Sequence, residues 1–349
     1  MTSRYRGAWL VLAASLGLLT ACSQPAAPAG GAAAGDGAAP PAAATQPPPR
    51  QEIKVVNVAG INGAPYQLAL ARGYYAEHGL DVSLLEMPAA TGVKAAIAGD
   101  FQFVTAAGAA VAAALNDAPI RVVFIAAPPP LFALYSQPSI GTVAELRGKR
   151  IGISSRGSAP EVIARIVLER AGVDPDADVT WVVVGAGAAR TQALVAGAVD
   201  AAVLSSPSDV LARRAGFREL SNFAREFRAG GAAGAAAPTD FLQRNPDTAR
   251  RWIEASIQGL RYLKADRDGA IHALAPIIEV DEDVMADVYD IVSEFFGTTG
   301  YEDDAALTME LDLNKRSLGL DKDVRLDQVF DFSLAREASS HLDQTDWRP

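Results

Sequence analysis

From Ile53 onward, short β-branched apolar runs alternate with stretches whose apolar residues fall at helical spacing, the pattern of an α/β protein with helices packed on its sheets. Residues 53–59 (IKVVNVA) read as a strand. Residues 65–78 carry Leu68, Leu70 and Tyr74 on a helical period and stop before Gly79, a residue suited to a helix carboxyl end. A second strand follows at 81–85, a short helix at 91–98 ended by Gly99, and a third strand at 101–105. The order is β-α-β-α-β.

That order returns about 95 residues later, with strands at 150–153, 179–184 and 199–204 and helices at 159–171 and 188–196, closed by Gly172 and Gly197. Individual positions correspond: Pro65 with Pro160, Gly79 with Gly172, and AIAG at 96–99 with LVAG at 194–197. Two like-built units imply two lobes with a cleft between them, and ligands of such sheets bind beyond the carboxyl ends of the strands. Residues 120–135 form an apolar strand run broken by Pro128, Pro129 and Pro130, which cannot occupy a central strand and therefore mark a crossover between the units. Residues 229–237 are only Ala and Gly; they read either as the neighbourhood of the return crossover or as a surface loop. Beyond them helices are expected at 246–265, 270–277 and 283–296, packing back on the first lobe.

The first fifty residues follow a different rule. Arg4 and Arg6 precede an apolar stretch at 8–19 that is short for a permanent bilayer span, and small residues follow, as in a secretory leader. Residues 19–22 (LTAC) resemble the lipobox of bacterial lipoproteins, which implies cleavage after residue 21 and lipid, including palmitate, on Cys22. Ser23 is not Asp, so the membrane leaflet stays open. Residues 23–50 hold eleven Ala, seven Pro and four Gly with no periodic apolar face, the composition of a disordered tether. Fully extended, it would reach roughly 90 Å.

Composition narrows the function. Lys and Arg number 31 against 41 Asp and Glu, a formal charge of −10, and no basic stripe is present, which argues against nucleic-acid binding. A single cysteine among 349 residues excludes an internal disulfide and a Cys-rich metal site. The three histidines, His78, His272 and His341, show no metal spacing, and no arrangement of residues offers a catalytic nucleophile with its base. GAGAAR at 185–190 follows a strand and opens a helix, but Arg190 stands where a dinucleotide fingerprint needs its third glycine. No metal, no cofactor and no enzymatic activity are therefore expected.

Three segments carry a family resemblance. YQLALARGYYAEHGLDV at 66–82, LRGKRIG at 146–152 with the Ser-rich turn after it, and ALVAGAVDAA at 193–202 resemble the periplasmic ABC-transporter substrate-binding proteins of the taurine, alkanesulfonate, nitrate and thiamine-precursor group. The resemblance implies a two-lobed periplasmic-binding-protein type II fold, with lobe I at 51–127 plus 232–349 and lobe II at 128–231. It implies a monomer, lipid-anchored on the periplasmic side of a bacterial membrane, that closes on a small-molecule solute and passes it to an ABC permease and its ATPase. A lipoprotein that senses a ligand is the alternative role.

In a fold of this kind the pocket is built from the turns after the strands. Those turns are small or hydroxylic: 60–65, 105–108, 154–160, 185–187 and 205–207. Candidate ligand contacts are Asn62, Gly63, Tyr66, Thr105, Ser155, Arg156, Ser158 and Ser205. Ser155 to Ser158 precede a helix whose unpaired amides suit an anion, and Arg156 offers a guanidinium; equally, the serines cap the helix while Arg156 points to water. Asn62 can donate and accept, or simply serve the turn. Tyr66 offers a ring wall, or packs between helices. The set favours an organic anion such as a sulfonate or carboxylate, with a neutral heteroaromatic, as in the thiamine-precursor branch, as the alternative.

Overall fold

The computed structural model describes residues 50–58 and 60–349. The leader, Cys22 and the Ala/Pro/Gly segment up to residue 49 lie outside the described residues.

Strand β1 (Gln51–Asn57) leads into α1 (Ala64–Ala71), α2 (Tyr74–Glu77), β2 (Leu80–Glu86), α3 (Ala89–Ala98), β3 (Phe103–Val104), α4 (Ala107–Leu115) and β4 (Ile120–Ala127). The helix expected over 65–78 is two helices. Gly73 takes φ 80° and its amide bonds the Leu70 carbonyl, so the chain turns between α1 and α2 and both Tyr74 and Tyr75 bury. After β4 come β5 (Ala133–Ser136), β6 (Arg150–Ile153), α5 (Ala159–Arg170), β7 (Thr180–Val183), α6 (Gly187–Val195), β8 (Ala201–Leu204), α7 (Ser208–Arg214), β9 (Arg218–Asn222) and α8 (Phe223–Glu226). The chain then runs through β10 (Ala233–Pro238), α9 (Thr239–Arg244), α10 (Pro246–Ala265), α11 (Arg267–Ile278), α12 (Glu282–Val292), α13 (Asp304–Leu318) and α14 (Ser333–Gln344).

The strands form two five-stranded sheets, in the orders β2-β1-β3-β10-β4 and β7-β6-β8-β5-β9. In each, the first three strands are parallel and the fourth runs antiparallel to both neighbours. The repeat read from the sequence is therefore the parallel half of each sheet. The glycines that closed its helices, Gly79, Gly99, Gly172 and Gly197, all have positive φ, and Pro65 and Pro160 both sit in the first turn of a helix. The antiparallel strand of each sheet enters directly from the other one: β5 follows β4 across Pro128–Pro130, and β10 follows α8.

The Ala/Gly run is not a surface loop. Its second half is β10, fully buried in the middle of the first sheet, and a Cβ on Gly234 would stand 2.3 Å from the Phe124 carbonyl and 3.2 Å from Ala107 Cβ. The residues are small because α4, itself rich in alanine, presses on the strand. Gly230 and Gly231, with φ of 109° and 122°, turn the chain into it.

Packing follows the period of two along the strands. Around the second sheet, Leu134, Ala201 and Val203 face one cluster with Ile163 and Leu168 of α5, while Tyr135, Ala202 and Leu204 face another with Leu194 of α6. In the first sheet, α10 lies on α1 so closely that a Cβ on Gly259 would stand 2.1 Å from the Pro65 carbonyl. Trp252 of α10 stacks on Phe103 at 3.9 Å between ring centroids, with Tyr66 and Tyr75 beside it.

Candidate functional site

The turns at the carboxyl ends of the strands bring the two sheets together. Gly60, after β1, takes φ 94° and leaves a Cβ position only 3.2 Å from the Ser206 carbonyl, so the first turn of one sheet touches the turn after β8 of the other. Gly63 likewise has no room for a side chain: a Cβ would meet Asn57 Oδ1 at 2.6 Å. Asn57 and Thr105 are buried and tie β1 to β3, since the Thr105 hydroxyl donates to Asn57 Oδ1 at 3.2 Å and accepts from the Val58 amide at 3.0 Å. Asn62, half-buried, has an enclosed Oδ1 with no hydrogen-bond partner among the described residues. A buried acceptor left unpaired is costly, so a donor arriving from a bound molecule would be favoured there.

Tyr66 is fully buried between Phe124 and Trp252, its hydroxyl without a partner among the described residues, and burial holds that hydroxyl well above its ordinary range. Its ring belongs to the packing between α1, α10 and the sheet.

Before α5, Ser155 and Arg156 are exposed and Ser158 is half-buried. Ser158 does not cap the helix with its side chain; its hydroxyl donates to the Ser155 carbonyl at 2.9 Å and lies 3.3 Å from Ser154 Oγ. The amide end of α5 is already served by a carboxylate of the protein. Glu161, buried in the first helical turn, accepts from the Gly157 amide at 2.5 Å and from Arg165 at 3.1 Å, and Arg156 reaches it at 3.3 Å. An anion at this turn would face Glu161 as a like charge. The sequence placed Glu161 three residues after Ser158, the spacing of a capping box, which is the signal that could have found it.

In the second sheet Ser205 is half-buried and the next residue, Ser206, donates to Asp209 Oδ2 at 3.0 Å. Burial pushes Asp209 up, against the pull of the bonds from Ser206 and the Val210 amide. Arg190, set aside above as an interruption of a glycine motif, is only 5% exposed. Its Nε donates to the Val203 carbonyl at 2.7 Å and its Nη1 to the Gly185 carbonyl, so the guanidinium spans the ends of β7 and β8. Burial pulls it down to about 10, which leaves it charged at neutral pH, and no carboxylate lies in ion-pair range among the described residues.

The three histidines lie apart, His78 on Gln258, His272 on Glu282 and His341 on Glu254. A separate groove of about 430 Å³ opens beside the crossovers, lined by Pro128, Pro129, Phe227, Phe295, Glu302 and Met309 among others. None of the candidate ligand contacts lines it. No described helix is long and apolar enough to cross a membrane.

The family model described as NMT1/THI5 like matches residues 61–270. None of the curated proteins matches the sequence. Among solved structures, the alkanesulfonate-binding protein SsuA from Xanthomonas axonopodis pv. citri, bound to MOPS, superposes with a TM-score of 0.67 at 19% identity, covering 80% of this chain and 98% of its own. The periplasmic nitrate-binding protein NrtA from Synechocystis PCC 6803 gives 0.70 at 15% identity over 84% of this chain and 89% of its own. The desulfurization enzyme DSZB gives 0.63 at 16% identity over 84% and 99%. At such identities the likeness is one of fold, the two-lobed α/β arrangement of periplasmic binding proteins.

Proposed function

Because the chain belongs to the NMT1/THI5-like family, matched over residues 61–270, we propose that it is the solute-binding component of an ABC importer. It captures a small organic anion, a sulfonate or carboxylate, by closing two lobes and hands it to a permease served by an ATPase. The observation that carries the reading is the meeting of turns from both sheets at Gly60 and Ser206, where closure would surround a solute and exclude water, strengthening each polar contact. The sulfonate- and nitrate-binding proteins of the same fold support an anion as the cargo. We take lobe I as 51–127 plus 232–349 and lobe II as 128–231, in keeping with β4 ending at Ala127 and β10 starting at Ala233. Asn62, Ser155, Ser158 and Ser205 are the proposed polar contacts. Binding and release, with no turnover, is the proposed activity.

The leader and the LTAC motif support a lipoprotein held at Cys22, with the lobes standing off the periplasmic face of the membrane on the Ala/Pro/Gly tether. Mass spectrometry of solute retained by the native protein, followed by calorimetry with that solute, tests the reading. A retained anion bound with nanomolar to micromolar affinity and recovered unchanged is the expected result. Conversion of the bound compound would make the protein an enzyme and overturn it.

A further inference from the structure

Arg190 carries the argument. A guanidinium buried to this degree without a carboxylate partner is uncommon, because the charge loses its hydration and strand-end carbonyls return only part of it. Two of its three nitrogens are engaged. The third, Nη2, makes no hydrogen bond among the described residues, and it points toward Gly187, whose absent Cβ would lie 4.0 Å away. Ser208 Oγ stands 2.7 Å from the same Cβ position. Ser208 is 7% exposed and its hydroxyl also has no partner among the described residues. Both thus lie near Gly187 at the amino terminus of α6, nine residues long, where the first intrahelical amide bond is from Arg190 to Ala186 and the amides before it have no partner among the described residues.

We propose that Arg190 Nη2, Ser208 Oγ and the first amides of α6 form the seat for the anionic group of the solute, the specificity determinant that selects an anion over a neutral molecule of the same shape. The proposal rests on the solute-binding reading above and moves the charge recognition from the turn before α5 to the turn before α6. The physical contrast between the two turns decides it. At α5 a protein carboxylate, Glu161, already occupies the helix end; at α6 no carboxylate lies in ion-pair range of Arg190 among the described residues, and the buried Asp209 beside Ser208 is held instead by the Ser206 hydroxyl and the Val210 amide. Gly187 is the residue that lets Ser208 come this close to the helix end, since a Cβ there would stand 2.7 Å from its hydroxyl.

The test uses the mature chain, lipid-free, with methanesulfonate, ethanesulfonate, acetate, benzoate and nitrate as probes, each beside a neutral analogue such as ethanol or benzamide, read by calorimetry and thermal shift. At least one anion is expected to bind the wild type. Arg190→Gln is expected to weaken it tenfold or more, Ser208→Ala several-fold, and Gly187→Ala tenfold or more, because the added methyl would stand 2.7 Å from the Ser208 hydroxyl and displace it. Arg214→Gln, on the outer surface, serves as the control. Should Arg190→Gln fail to fold by circular dichroism, Gly187→Ala and Ser208→Ala decide the matter. Anion affinity within twofold of wild type in folded Arg190→Gln, or in both of the other variants, overturns the assignment and leaves the binding-protein reading intact. Binding of a neutral probe with no anion bound overturns the assignment alone; a wild type that binds no probe and retains no solute overturns both.

Discussion

Glu310 of α13 is the group whose removal should be felt most at the crossover. It is 2% exposed, and its Oε2 accepts from the Gly231 amide at 2.6 Å and the Ala232 amide at 3.2 Å, the two residues that carry the chain into β10. Its Oε1 accepts from Asn314 Nδ2 at 2.9 Å. Replacing Glu310 by Ala leaves two backbone amides without an acceptor in a buried place, each worth about 1–3 kcal/mol, while relieving the cost of a buried charge. The net expectation is a loss of about 2–4 kcal/mol, or a fall in Tm of roughly 3–6 °C by calorimetry. Glu310→Gln keeps an oxygen for the two amides and removes the charge, so it should cost clearly less.

The pH dependence fixes the sign. Burial raises Glu310 above the ordinary glutamate range despite the Gly231, Ala232 and Gly230 amides and the Asn314 side chain that pull it down. The native state then holds this proton more tightly than the unfolded chain, so its contribution to stability is largest at low pH and declines as pH rises from the ordinary carboxylate range through the raised value. The Tm of Glu310→Gln relative to wild type should therefore improve as pH rises above the ordinary carboxylate range. A Glu310→Ala protein as stable as wild type, or a Glu310→Gln difference that worsens with pH, would refute the reasoning.

Other positions give sharper contrasts. Gly234→Val should prevent accumulation of folded protein, because its first carbon already stands 2.3 Å from the Phe124 carbonyl; soluble yield and circular dichroism report it. Arg214 bonds Asp283 at 2.7 Å and Asp287 at 2.9 Å between α7 and α12, yet these groups are exposed, and Arg214→Ala should cost only about 0–1 kcal/mol in denaturant unfolding. Cys22→Ala should abolish palmitate incorporation and release the protein from the membrane fraction, with intact mass as the check.

What was legible in the sequence was what acts locally. Pro65, Pro160 and the glycines at 79, 99, 172 and 197 mark helix ends by their own backbone preferences, and they gave the repeat and the two sheets. The β10 strand was not legible as such, because residues without bulk carry no period of two; only the neighbouring α4 explains them. The break at Gly73 was hidden inside an apolar period that continues across it. At the site, the turns were found but their electrostatics were not. Glu161 and Arg190 both lie one helical turn inside their helices, and whether such a side chain reaches back to the helix end depends on the packing around it. One fills its own turn with negative charge, the other leaves a cation beside an open one.

The central claim is that two lobes close on a solute, and small-angle scattering of the lipid-free mature chain tests it most directly. With the solute identified by native mass spectrometry removed and then restored at saturation, the account predicts a smaller radius of gyration in the bound state. Identical scattering profiles, with calorimetry showing the solute bound, would contradict it.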